Sequence, residues 1–136
     1  MGLLDSILVA AKGLKAQSGR MRVISENIAN ADSTGNTPGA NPYRRRIPTF
    51  QTEYDNVLGA HVVKMGRVET DKTDFISRYE PGHPAADAKG YVKYPNVNLV
   101  IETMDIREAQ RSYEAGLNVI KATRGIIQST ISILRG

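Results

Sequence analysis

The stretch SENIANADSTG, residues 25–35, closes a long patterned apolar run yet sets Asn27 and Asn30 one helical turn apart. Asparagine is a poor interior helix residue, because its amide competes for nearby backbone hydrogen bonds. An ordinary C-terminal cap accounts for Asn30 and leaves Asn27 without a purpose. The pair therefore predicts a helix that ends here, with amides that satisfy its last backbone groups and grip the chain as it leaves. Ala29, between them, leaves room for a neighbouring helix.

Upstream, Leu3, Ile7, Ala10, Leu14, Gln17, Met21, Ile24 and Ile28 alternate at steps of four and three. That is a coiled-coil seam with one polar break, and it predicts a helix from residue 3 to about residue 31. The last forty residues repeat the pattern. Ile106, Tyr113, Leu117, Ile120, Ile127, Ile131 and Leu134 share a seam broken by Gln110 and Arg124. Asn98 is the expected N-cap of this second helix, which should run to about residue 134. Glu102 and Asp105 near its start and Arg135 at its end follow the order that the helix dipole favours. Val119 and Ile126 lie off the seam, as do the small residues Ala115, Gly116, Ala122 and Gly125. A helix with two apolar faces expects more than one neighbour.

Between the helices the composition changes. All six prolines fall within residues 34–95, with turn signals at STGNTPGANP and EPGHPAADAKG. Residues 61–65, 75–79 and 91–94 read as short strands. The expected fold is mainly α. N- and C-terminal helices pack as a coiled-coil-like stem (residues 1–34 and 96–136) that carries a small irregular β-containing insert (residues 35–95). Of the 136 residues only 40% are hydrophobic, two are Phe and none is Trp, so this arrangement buries too little apolar surface to stand alone. The stem should be covered by other copies, with the terminal helices of a free monomer largely disordered until assembly.

Reactive chemistry is sparse. There is no cysteine, and His61 and His83 lack the close spacing of a helical metal motif. Glu80, His83 and Asp87 share one loop, but Pro81 and Pro84 make it a turn rather than a metal site. No catalytic residue, metal ligand or cofactor site is expected. The longest apolar run near the start, residues 7–11, falls far short of the ~20 residues of a membrane helix. The opening MGLLDS matches the permissive myristoylation pattern without further support. Tyr43 followed by Arg44, Arg45 and Arg46 offers an alternative function, a small basic helical nucleic-acid-binding protein. The acids Glu69, Asp71, Asp74 and Glu80 offer another use for the arginines, pairing one copy with the next.

Asn27, Ala29, Asn30, Thr34 and Gly35 together resemble the N-terminal signature of bacterial flagellar axial proteins, those of rod and hook. Asn36 stands where most members carry Tyr, and the Tyr-Arg pair arrives late, at Tyr43 and Arg44. That delay is similar to the proximal-rod branch of the flagellar basal-body rod family. So is the block from residue 79 to 122, with Gly90-Tyr91-Val92 and Pro95, Asn96, Val97 and Asn98. The resemblance implies a structural subunit without catalytic activity, packed with other copies into the hollow drive shaft of the basal body and transmitting torque. It implies the rod proteins FlgB, FlgF and FlgG, the adaptor FliE and the MS ring as partners, and neither nucleic acid nor membrane insertion. It further implies a periplasmic rod location after export by the type III apparatus without a cleaved signal. Phe50 and Tyr54 of FQTEY have the Phe-x-x-x-hydrophobic form of the family's export-gate element.

Overall fold

The computed structural model describes residues 2–136. Helix α1 spans Leu3–Ala29 and helix α2 Leu99–Arg135, with six short strands between them. The strands are β1 (Arg46–Ile47), β2 (Phe50–Asp55), β3 (Ala60–Met65), β4 (Glu69–Thr70), β5 (Ile76–Tyr79) and β6 (Tyr91–Tyr94). The mainly α stem with a β-containing insert is thus the fold, and no helix interrupts the insert.

Helix α1 ends two residues before the expected boundary, for a local reason. The Glu26 carbonyl accepts both the Asn30 backbone N–H (3.0 Å) and the Asn30 side-chain amide (2.9 Å). Ser33 then turns back onto Asn30, its N–H on the carbonyl at 3.1 Å and its hydroxyl on Oδ1 at 3.0 Å. Helix α2 starts as the cap predicts, with Asn98 Oδ1 accepting the N–H of Val100 (3.0 Å) and of Ile101 (3.4 Å).

The strands form three separate antiparallel pairs, β1 with β4, β2 with β3 and β5 with β6. Strand β2 was not among the expected strands. Its sequence FQTEYD has an almost wholly exposed burial pattern, so the alternation of a half-buried strand is absent. It forms because Asp55 organises the hairpin turn: its carboxylate accepts the N–H of Val57 (2.9 Å) and Leu58 (3.1 Å), and its carbonyl that of Gly59. Gly59 sits at φ 66°, a left-handed position that glycine adopts without strain.

The chain divides into two compact units. One comprises the residues up to Met21, Thr49–Arg67 and Arg107–Gly136. Within it Ala16, Leu58, Val62 and Ala109 are buried. Close approach depends on glycine: a Cβ on Gly116 would lie 2.8 Å from Leu14 Cδ2, and one on Gly19 2.8 Å from Met65 Cγ. Gly13 and Gly125 face open space within the chain. The other unit comprises Arg22–Pro48 and Val68–Ile106. Val23, Ile24, Ala85, Val92, Tyr94 and Val97 are buried there, together with two polar side chains, Asn27 and Glu102, that are fully enclosed.

Candidate functional site

The loop after α1 folds back on itself, Tyr43 N–H reaching the Ser33 carbonyl at 3.0 Å, and so delivers residues 43–46 to the side of Asn27. Asn27 Oδ1 accepts the Arg46 N–H (3.0 Å) and the Tyr43 hydroxyl (2.7 Å), while its Nδ2 donates to the Arg46 carbonyl (2.8 Å). One side-chain amide therefore satisfies both backbone groups of Arg46, as a neighbouring strand would. Aspartate lacks the donor for this, and glutamine, which has both halves, is one methylene longer. A 3.5 Å approach of Nδ2 to Glu102 Oε2 completes the surroundings of the amide. Burial raises the Tyr43 hydroxyl above its ordinary pKa; Arg46 opposes this, while Glu26 and Glu102 add to it, so the phenol stays a donor.

Arg45 reaches the other way. Its Nε pairs with the buried Glu102, and its terminal nitrogens lie 3.2 Å from Asp71 and 4.0 Å from Asp105. Burial alone would lower the guanidinium pKa, but the hydrogen bonds and charges of Glu102 and Asp71 outweigh it and raise the value. Asp71 is held below the usual carboxylate range chiefly by the Thr73 N–H and hydroxyl; burial opposes them, and Arg45 adds a smaller lowering effect. Asn96 seals the junction, accepting the Arg45 N–H (2.8 Å) and donating to the carbonyls of Asp71 (3.1 Å) and Thr73 (3.2 Å). Arg44 donates to the same two carbonyls at 2.9 Å and lies 4.1 Å above the Phe75 ring. Arg46 pairs with Glu26 at 2.9 Å. The three arginines are thus engaged within their own chain, and Asp71 serves Arg45 of the same copy rather than of the next.

The remaining signature residues lie around this network. Thr34 Oγ1 meets His83 Nε2 at 3.3 Å; His83 Nδ1 accepts the Ala85 N–H at 2.9 Å, which assigns the ring proton to Nε2. Gly35 is pressed against Ala40, whose Cβ would be 2.4 Å from a Cβ placed on it. Pro95 and Val97 are buried, and Ala29 is exposed. Asn27 and Asn30 divide the expected task, Asn30 closing the helix and Asn27 gripping the returning chain. Along the seams Ile24 is buried, Ile7, Leu14, Met21, Ile28, Ile106, Tyr113, Leu117, Ile120 and Ile127 are half-buried, and Leu3, Ile131 and Leu134 are exposed. Phe50 and Tyr54 stand exposed on β2 in the other unit.

Sequence reasoning missed Arg45, Arg46, Asp71 and Glu102 as parts of the site. Glu102 was assigned to the helix dipole alone. The available signal was its place as a single acid inside LVIETM, where a buried partner is the usual requirement. Chemically the arrangement is a lock: its donors and acceptors are paired internally, and none is poised over an open cavity. Among the described residues no group of three His, Cys, Asp or Glu side chains could hold a metal ion.

Comparison with known proteins gives concordant matches. Residues 7–40 match the family model for flagella basal body rod protein, and residues 88–133 that for the flagellar basal body rod FlgEFG protein C-terminal. The chain is 54% identical to the flagellar basal-body rod protein FlgC of Agrobacterium fabrum over 93% of this chain and 91% of the relative. It is 42% identical to FlgC of Borreliella burgdorferi over the whole of both chains. It is 34% identical to FlgC of Bacillus subtilis over 98% of this chain and 99% of the relative.

Proposed function

This chain belongs to the FlgC family of flagellar basal-body rod proteins and is a structural subunit of the rod, and from that premise we propose that it builds the proximal segment of the shaft. In this reading copies of the chain pack their terminal helices with those of FlgB, FlgF and FlgG into a hollow wall. FliE and the MS ring lie at its base, and motor torque passes along it. The chain reaches the periplasm through the flagellar type III apparatus without a cleaved signal.

The observation that carries this reading is the Asn27–Arg45–Glu102 lock. A torque-bearing wall needs its insert fixed to its helices, and here one buried amide and one buried ion pair join α1, the returning loop and the start of α2. The outer ends of both seams support it from the other side, because Leu134 is 82% exposed and Leu3 43%. Such apolar surface marks an interaction site. Phe50 and Tyr54 would serve as the export-gate element while the chain is in transit, before β2 forms. Nothing in the geometry favours nucleic-acid binding, since Arg44, Arg45 and Arg46 are occupied.

The test is chromosomal deletion with complementation. Loss of the gene should stop basal-body assembly at an early rod stage, and the wild-type chain should restore motility. Normal rods in the deletion strain would end the proposal.

A further inference from the structure

We propose that the cleft beside the first turn of α2 seats the last turn of α2 from a second copy of this chain, an inference that rests on the rod-subunit reading. The cleft holds about 320 Å³, with apolar walls from Ile76, Pro95, Val97 and Leu99 and with Asp32 and Arg78 as its charged members. That volume is at the small end of the roughly 300–1,000 Å³ of small-molecule sites and suits one or two aliphatic side chains. Leu99 and Ile76 are nearly half exposed although they line it, and Ile101 and Met104 extend the apolar surface along α2.

The proposed occupant supplies what the cleft lacks. Ile131, Ile133 and Leu134 in the last turn are exposed, the latter two by more than three quarters, and Arg135 follows them. Among the described residues Asp32 has no cation partner and Arg135 no carboxylate partner within the chain. Seating the tail brings these two charges together. The last carbonyls of a helix carry partial negative charge, which suits Arg78, whose guanidinium lies 4.2 Å over the Tyr94 ring. A continuous 37-residue helix cannot bring its own first and last turns together, so the tail belongs to another copy. Cleft and tail are different surfaces, and a contact between unlike surfaces propagates into a ring or helical array rather than closing a pair.

The absence of cysteine gives a clean test in the full-length chain. Val100→Cys and Leu134→Cys variants, mixed under mild oxidation, should form a mixed disulfide dimer. Its yield should be about tenfold that of Val57→Cys with Leu134→Cys, in which the first thiol sits on the exposed hairpin tip. Asp32→Arg or Arg135→Asp alone should weaken self-association in sedimentation about tenfold by setting like charges against each other. Both changes in one chain should restore it. Cross-linking no better than the control, charge reversals without effect, or in-cell capture by Leu134→Cys of a different protein instead of Val100→Cys would overturn the proposal. Complementation separates this from the rod reading: if the wild-type chain restores motility while the cross-link fails, only the docking surface is wrong.

Discussion

Replacing Arg45 by Met removes the partner of a carboxylate whose side chain is 1% exposed. Breaking a buried ion pair from one side costs roughly 3–5 kcal/mol, because the remaining charge loses its compensation. Arg45 itself is 20% exposed, so some water can reach the vacated space, and Asn27 Nδ2 stands 3.5 Å from Glu102. The expected loss is therefore at the lower end, about 3 kcal/mol. With a urea m-value of about 1–3 kcal/mol per M, the midpoint should fall by at least ~1 M. Four of the six tyrosines (Tyr43, Tyr79, Tyr91 and Tyr94) lie in the unit that contains the pair, so tyrosine fluorescence reports its unfolding. Arg45→Met with Glu102→Leu removes both charges, and such swaps are often neutral. The double variant should recover to within about 1 kcal/mol of wild type. A loss below about 1 kcal/mol for the single variant, or a double variant as unstable as the two single losses added, would refute the claim that this pair is buried and coupled.

Asn27→Ala strands both backbone groups of Arg46 and the Tyr43 hydroxyl; at roughly 1–3 kcal/mol for each buried group left unpaired, it should cost about 3 kcal/mol or more and abolish complementation of motility. Asn27→Asp, which keeps only the acceptor, should fail as well. Acid should destabilise the fold in a defined window. Asp71, Asp55 and Asp87 are all held below the ordinary value, chiefly by backbone N–H groups of Thr73, Leu58 and Tyr91. A depressed folded pKa gives stability that is present above the unfolded value of about 3.9 and is lost as pH falls through the folded one. Melting temperature should thus stay level from pH 7 to 5 and drop below about pH 4, and a drop beginning near pH 6 would point to other groups. Phe50→Ala should reduce secretion while leaving the purified chain folded, and wild-type secretion would place the export element elsewhere. Amide exchange on dilute monomer should find the ends of α1 and α2 unprotected, whereas protection throughout residues 3–28 would show that the stem folds alone.

The helices were legible because each seam runs unbroken by proline and carries its own stop or start signal, Asn30 in one case and Asn98 in the other. The strand pairs were legible only where β-branched and aromatic residues cluster. Tyr91–Tyr94 alternates exposed and buried and was read with its bounds, whereas Phe50–Asp55 buries almost nothing and was invisible. The site was half legible. Two asparagines one turn apart at a helix end are anomalous in sequence, which makes Asn27 legible without its partners. An arginine run and a single acid 57 residues apart are ordinary features of surfaces, and nothing local says that Arg45 and Glu102 meet. Tertiary pairing of that kind is set by how the loop returns, which depends on Gly35 fitting against Ala40 and on Asn96 holding the Arg45 backbone.

The two kinds of cohesion in this chain suggest which part folds first. In the unit formed by Arg22–Pro48 and Val68–Ile106 the backbone is held by directional contacts, with Asn27, Arg44 and Asn96 each bonding main-chain atoms distant in sequence. Such contacts need no second copy to be satisfied. The outer ends of the helices are held by little, since Leu3, Ile131 and Leu134 on the seams are exposed. Each helix glycine also costs on the order of 1 kcal/mol against Ala, which lowers the intrinsic helicity of both helices. A subunit built this way can enter assembly with its insert already ordered and its termini still free. The entropy of ordering those termini is then met by apolar burial against the neighbouring copies. On the rod-subunit reading, order in the terminal helices is expected to be conditional on having neighbours, the outcome that amide exchange on dilute monomer checks.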